Sequence, residues 1–104
     1  MKILHWRSVA AGGSMRGGVD LELDIGLQIY EVIVHVSNNG PWVALPARVV
    51  LNKDGAIRRK LASGKPDYQR ILKWRDRDTT DKFSAAVIRL LLRDYPDALG
   101  GDRR

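Results

Sequence analysis

Residues Val19 to Ile25 alternate without a fault: Val19, Leu21, Leu23 and Ile25 fall on one side of an extended chain, and Asp20, Glu22 and Asp24 fall on the other. Successive side chains of a strand point to opposite faces, so this spacing predicts a half-buried β-strand with its acidic face in solvent. Gly26 follows, and a second apolar run, Leu27 to Val36, begins at once. The natural joint is a hairpin in which Gly26 takes the positive φ of a tight turn. In the second run Tyr30, Val32, Val34 and Val36 share one face while Ile29, Ile33 and His35 share the other, the double covering of a central strand.

The remaining segments attach to that hairpin. Upstream, Ile3 to Val9 reads as another strand, joined to Val19 through the glycine-rich Gly12 to Gly18, a flexible connection. Downstream, Asn39-Gly40 turns the chain into a run from Trp42 to Leu51. Pro46 inside this run has no N–H for a ladder and implies an edge position or a bulge. Residues 52-67 combine turn signals with five basic side chains and few large apolar ones, the pattern of a long, mobile basic hairpin arm. Tyr68 to Trp74 offers a last strand. A helix follows, with Asp78, Thr79 or Thr80 able to cap its start and Pro96 ending it near Tyr95. Residues 97-104 read as a flexible tail. The expected fold class is α+β: an antiparallel β-sheet of about four to five strands followed by one C-terminal α-helix. At 104 residues the chain is one domain, 1-104, large enough to bury roughly two-thirds of its unfolded surface.

On a helical wheel Phe83, Val87, Ile88, Leu90, Leu91, Leu92 and Tyr95 spread over about half the circumference. One sheet needs a narrower stripe, so the excess predicts a second subunit and a homodimer. Lys82, Arg89 and Arg93 align on the opposite side as a secondary basic stripe able to face phosphates.

Several chemistries find no support in the residues. The chain has no cysteine, which removes disulfides and thiolate chemistry and permits a reducing compartment. Its two histidines, His5 and His35, sit in strand-like runs without evident carboxylate partners, a poor metal site. The segment GGSMRGG lacks the lysine-serine/threonine ending of a phosphate-binding P-loop and leads into a strand. The expectation is therefore no enzyme, no cofactor and no metal. Lys2 is followed by only a short apolar run before Arg7, unlike a secretory signal, so a cytoplasmic location is expected.

The charge carries the functional signal. The net charge is +6, and residues 52 to 78 alone carry +5. Such a concentration points to an acidic partner, most often nucleic acid. The candidate binding residues are Arg48, Lys53, Arg58, Arg59, Lys60, Lys65, Arg70, Lys73 and Arg75, with Arg77 close behind and Trp42, Tyr68 and Trp74 interleaved. Cations track a phosphate backbone and aromatic faces stack on bases. For Trp42 and Trp74 the competing expectation is burial in the core or under the helix.

The stretch from His35 to Gly55, HVSNNGPWVALPARVVLNKDG, resembles the SpoVG family of small bacterial nucleic-acid-binding regulators. The resemblance lies in the asparagine-asparagine-glycine turn, one residue of spacing, the aromatic Trp42, then Val43, Ala44, Leu45 and Pro46, and the Asp54-Gly55 turn downstream. It implies a non-catalytic dimer that binds nucleic acid through a basic cluster soon after the proline, here Arg48, Lys53, Arg58, Arg59 and Lys60. Residues 56 to 78 form a longer insert than that pattern has, and the end, DYPDALGGD, is acidic. The order of strands then helix also looks like the single-stranded-DNA-binding transcriptional coactivator and Whirly group, whose dimers hold unpaired strands on curved sheets. The resulting expectation is a nucleic-acid-binding homodimer that favours DNA over RNA, and single strands of it. The alternative is a non-catalytic adaptor that binds an acidic protein partner through the same arm.

Overall fold

The computed structural model describes residues 1–9 and 13–100. Strands β1 (Lys2–Ser8), β2 (Met15–Glu22), β3 (Gln28–Ser37) and β4 (Gly40–Ala44) form an antiparallel sheet in the order β1-β2-β3-β4. Strands β5 (Ala47–Val49) and β6 (Tyr68–Arg70) pair separately as a small ribbon, and helix α1 (Arg77–Asp94) follows. The fold is α+β, a sheet followed by one C-terminal helix, as its sequence predicts.

The core lies between α1 and one face of the sheet. Val19 and Leu21 of β2, Ile29, Val32 and Val34 of β3, and Val43 of β4 meet Val87, Ile88 and Leu91 of the helix. Six of these are sealed from water, and burying each such side chain stabilises the fold by roughly 1.5–3 kcal/mol. The Gly26 hairpin forms with Gly26 at φ 96° and its N–H donating to the Leu23 carbonyl at 2.8 Å, but the turn is wider than expected: β2 ends at Glu22, and Ile25, expected on the buried face, lies in the turn 88% exposed. The next turn is shifted by one residue. Ser37 pairs with Gly40, so the turn falls on Asn38 and Asn39, and the positive φ, 108°, belongs to Gly40.

Strict alternation fails in β3. Val19 pairs with Val32 but Leu21 with Ile29, so β3 fits two residues where β2 has Asp20 alone. Glu31 absorbs the surplus with φ 64°. Such a bulge re-aims the side chains beyond it. It turns Ile29 to the same face as Val32 and Val34 and leaves Tyr30 56% exposed instead of beside them.

The glycine-rich connection is likewise part of the sheet over its described length. Met15 to Gly18 open β2, and Gly17 and Gly18 are buried. A Cβ on Gly17 would stand 2.6 Å from Cη2 of Trp6 and would collide with the Arg7 carbonyl oxygen. The Trp6 indole thus lies over bare backbone, which a side chain would displace. Gly12 lies outside the described residues.

Further boundaries move for identifiable reasons. The run Trp42 to Leu51 divides at Leu45-Pro46, so its halves join different sheets. The expected last strand is only Tyr68–Arg70. The helix starts earlier than Asp78 because Asp76 is its N-cap, its carboxylate accepting from the Thr79 N–H at 2.8 Å. It ends at Tyr95, the residue before Pro96. Beyond it, Ala98 and Leu99 pack against the core where the composition suggested a loose tail; residues 101–104 lie outside the described ones.

The outer edge of β4 is closed to strand addition. Pro41 has no N–H, and Val43, on the same outward side, donates its N–H to Ser84 Oγ of α1 at 2.9 Å. Natural sheets blunt their edges with such devices.

Candidate nucleic-acid interface

The basic arm grows out of the β5–β6 ladder, where Ala47, Arg48 and Val49 pair with Arg70, Gln69 and Tyr68. Beyond it three chain segments meet in a ring of backbone hydrogen bonds: Val50 N–H to the Asp67 carbonyl, Asp67 N–H to that of Arg58, and Arg58 N–H to that of Val50, each 2.9 Å. Two small loops hang from this junction. The Asp54-Gly55 turn closes the first, with Gly55 at φ 90°, and Lys60 N–H donates to the Lys65 carbonyl at 2.8 Å to close the second. Every residue from 51 to 65 is exposed. The arm is therefore a hydrogen-bonded ribbon without a core of its own.

Its cations divide into two groups. Lys53, Arg58, Arg59, Lys60 and Lys65 occupy the outer loops. Arg58 is committed to Asp67, its Nη2 lying 2.6 Å from the carboxylate, and Arg59 donates to the Gly64 carbonyl at 3.2 Å. At the root, Arg48 donates twice to Gln69 Oε1 across the ladder, at 3.1 and 2.7 Å. Arg70, Lys73, Arg75 and Arg77 follow along the chain toward the helix. Arg75 lies 3.4 Å from Asp76, and Arg77 pairs with Asp81 at 3.1 Å. Among the described residues no carboxylate comes within ion-pair distance of Arg48, Lys53, Arg59, Lys60, Lys65, Arg70 or Lys73. These charges are left to solvent or to a partner.

A groove of about 860 Å³ brings the root group, apart from Arg48, together with the aromatics. One wall is β4 with the Leu45–Ala47 linker, another is Tyr68 and Arg70 with the segment from Leu72 to Asp76, and the third is the first turns of α1. Trp42, Tyr68 and Trp74 line it, as do Arg70, Lys73, Arg75 and Arg77. The two tryptophans behave differently. Trp74 is half-buried and packs against Phe83 of the helix, ring centroids 4.9 Å apart, in keeping with a place under the helix. Trp42 is 42% exposed and stacks on His35 at 4.3 Å with the ring planes 15° apart, contrary to the expectation of burial. The secondary stripe, Lys82, Arg89 and Arg93, is exposed and lies outside the groove; Lys82 pairs with Asp78 at 3.0 Å and Arg93 with Asp94 at 2.9 Å.

The sheet face away from α1 carries polar groups that periodicity did not distinguish. Asp20, expected in solvent with Glu22 and Asp24, is buried: it accepts from both Nη atoms of Arg7 at 3.2 Å and from the Glu31 N–H at 3.0 Å. The Arg7 hydrogen bond, with help from the Glu31 amide, holds its carboxyl below the usual range. No local signal announces this burial, because it depends on the bulge in β3 that turns the Glu31 amide toward Asp20. Beside Trp42, burial lowers the pKa of His35, whose Nδ1 lies 2.9 Å from Ser14 Oγ. Among the described residues no group of three His, Cys, Asp or Glu side chains is placed to share a metal ion, and no helix is long and apolar enough to cross a membrane.

No protein-family model matches the chain, and no curated protein matches it. The likeness to the SpoVG family therefore rests on this chain's own residues, chiefly those from His35 to Gly55, and on its order of strands and helix.

Proposed function

We propose that this protein is a non-catalytic, cytoplasmic nucleic-acid-binding regulator that favours DNA over RNA and acts as a homodimer. The observation that carries the reading is the groove, which four cations and three aromatic rings line together beside an exposed basic arm. Arginine predominates there, and its planar guanidinium both forks onto phosphate oxygens and stacks on bases. Dimerisation draws support from Leu92 and Tyr95, the part of the helix's apolar arc that the sheet leaves exposed.

Fluorescence anisotropy of labelled DNA and RNA across a salt series tests the proposal. The logarithm of affinity should fall linearly with the logarithm of salt, with a slope of about −0.9 per neutralised phosphate on duplex DNA and about −0.7 on single strands. An Arg58→Ala, Arg59→Ala, Lys60→Ala variant should bind more weakly with a shallower slope. Failure to bind any nucleic acid at low salt would sink the reading. The adaptor alternative has one observation in its favour: Leu51, Ile57 and Leu61 are exposed among the arm's cations, as in a patch that meets protein. An interface with an apolar centre would show a weaker salt dependence.

A further inference from the structure

We infer that the groove between β4, the arm root and the first turns of α1 receives the unpaired bases of a single strand, with Trp42 and Tyr68 as stacking platforms and Arg70 and Lys73 on the phosphates. This rests on the nucleic-acid reading above, and it gives the expected preference for single strands a site.

Size comes first. A groove of about 860 Å³ has room for a base or two. Exposure is the second consideration. Trp42 and Tyr68 are 42% and 58% exposed, although large aromatics ordinarily dominate a core. His35 stacks on one face of the Trp42 indole and braces the ring, and among the described residues no ring stacks on the other. An aromatic platform serves only a base whose face is free, and in a duplex both faces are already stacked on neighbouring bases.

Charge is the third. The two carboxylates lining the groove are engaged: Asp76 caps the helix and lies against Arg75, and Asp81 holds Arg77. Arg70 and Lys73 remain for an anion. The edge of β4 also excludes an obvious competitor, an extended peptide added as a strand. Such a peptide needs outward N–H groups, and at this edge Pro41 has none while Val43 gives its own to Ser84. The groove is thus built for side-chain stacking and charge, not for main-chain pairing.

The test uses the intact protein with oligothymidylate and a mixed-sequence duplex of equal phosphate count, followed by anisotropy and by tryptophan emission. The wild type should bind the single strand more tightly, with quenching of its emission. A Trp42→Leu, Tyr68→Leu variant should lose about 30-fold or more in single-strand affinity, since it removes two stacking contacts worth about 1–3 kcal/mol each, while its duplex affinity and salt slope stay as they were. Tyr68→Phe, which keeps the ring, should bind like the wild type. Arg70→Gln with Lys73→Gln should instead flatten the salt slope by about two phosphates' worth, and as exposed residues neither should disturb folding. Equal affinity for the two forms, or undiminished single-strand binding by a folded double-leucine variant, would overturn the inference and leave the nucleic-acid reading intact. No salt-dependent binding of either probe would overturn both.

Discussion

At Gly17 the absence of a side chain is a packing requirement. A methyl there would meet Trp6 Cη2 at 2.6 Å and the Arg7 carbonyl oxygen, a backbone atom fixed by the β1–β2 ladder. Gly17→Ala should therefore cost about 1–3 kcal/mol or more, the range for overpacking. At Gly18 the nearest atom is the flexible end of Glu31 at 3.1 Å, so Gly18→Ala should cost less. Urea unfolding of the two variants side by side checks the contrast; equal losses would mean that Trp6 does not lie over Gly17. Two titrating residues on the open face give a pH dependence of definite sign. Burial depresses the pKa of His35 from 6.5, so between the two values the unfolded chain binds more protons than the folded one. Its contribution to stability is fully present above pH 6.5 and is lost as the pH falls through the lower folded value. His35→Phe keeps a ring against Trp42 and should flatten the loss of stability below pH 6.5, read as the urea midpoint at each pH. Asp20, held down by Arg7, adds a second loss below 3.8 by the same sign.

At the level of elements, the helix is fixed by two polar contacts that its apolar stripe does not supply. Ser84 accepts the Val43 N–H, and Asp76 accepts that of Thr79. Ser84→Ala should cost about 1–3 kcal/mol, because it leaves an edge donor without a partner, and it should open the β4 edge to self-association. Asp76→Ala should cost about 1 kcal/mol, the usual value of an N-cap, without that second effect. Thermal melts together with light scattering distinguish the two; aggregation in both or neither would contradict the edge-closing role of Ser84. These contacts also mark where sequence stops being legible. The alternation of Val19 and Leu21, the Gly26 turn and the Pro96 stop each depend on one local rule, and each appears where that rule puts it. The bulge at Glu31 does not, because it exists to direct an amide toward Asp20, a residue on another strand. Gly17 reads as a linker because its reason, Trp6, arrives from β1. The candidate site divides in the same way: the arm was visible as local charge density, while the groove depends on Pro46 sending the chain into a second ladder that returns Tyr68 and Arg70 beside β4.

For the molecule as a whole, the radius of gyration is 15.0 Å, against about 13 Å for a compact domain of similar length. The excess reflects a ribbon that stands off the sheet–helix body: every core residue belongs to β2, β3, β4 or α1, and residues 51 to 65 contribute none. A two-stranded ribbon with so little buried surface is marginal by itself, so its order depends on the Val50, Arg58 and Asp67 ring. The arm should therefore be separable from the body. Val49 and Tyr68 are paired across the ladder, so replacing residues 50–67 with a two-residue Asn-Gly turn rejoins the strands at a point they already share. The shortened chain should keep its unfolding midpoint within a few tenths of a molar urea, since no core contact is removed. It should also lose the steep part of the salt dependence, because Lys53, Arg58, Arg59, Lys60 and Lys65 leave with the arm. Base stacking in the groove should survive, because Trp42, Tyr68, Arg70 and Lys73 all remain. Chemical denaturation and anisotropy on the one variant measure both halves. A collapse in stability would show that the arm packs on the body after all, and an unchanged salt slope would show that its cations do not meet phosphate.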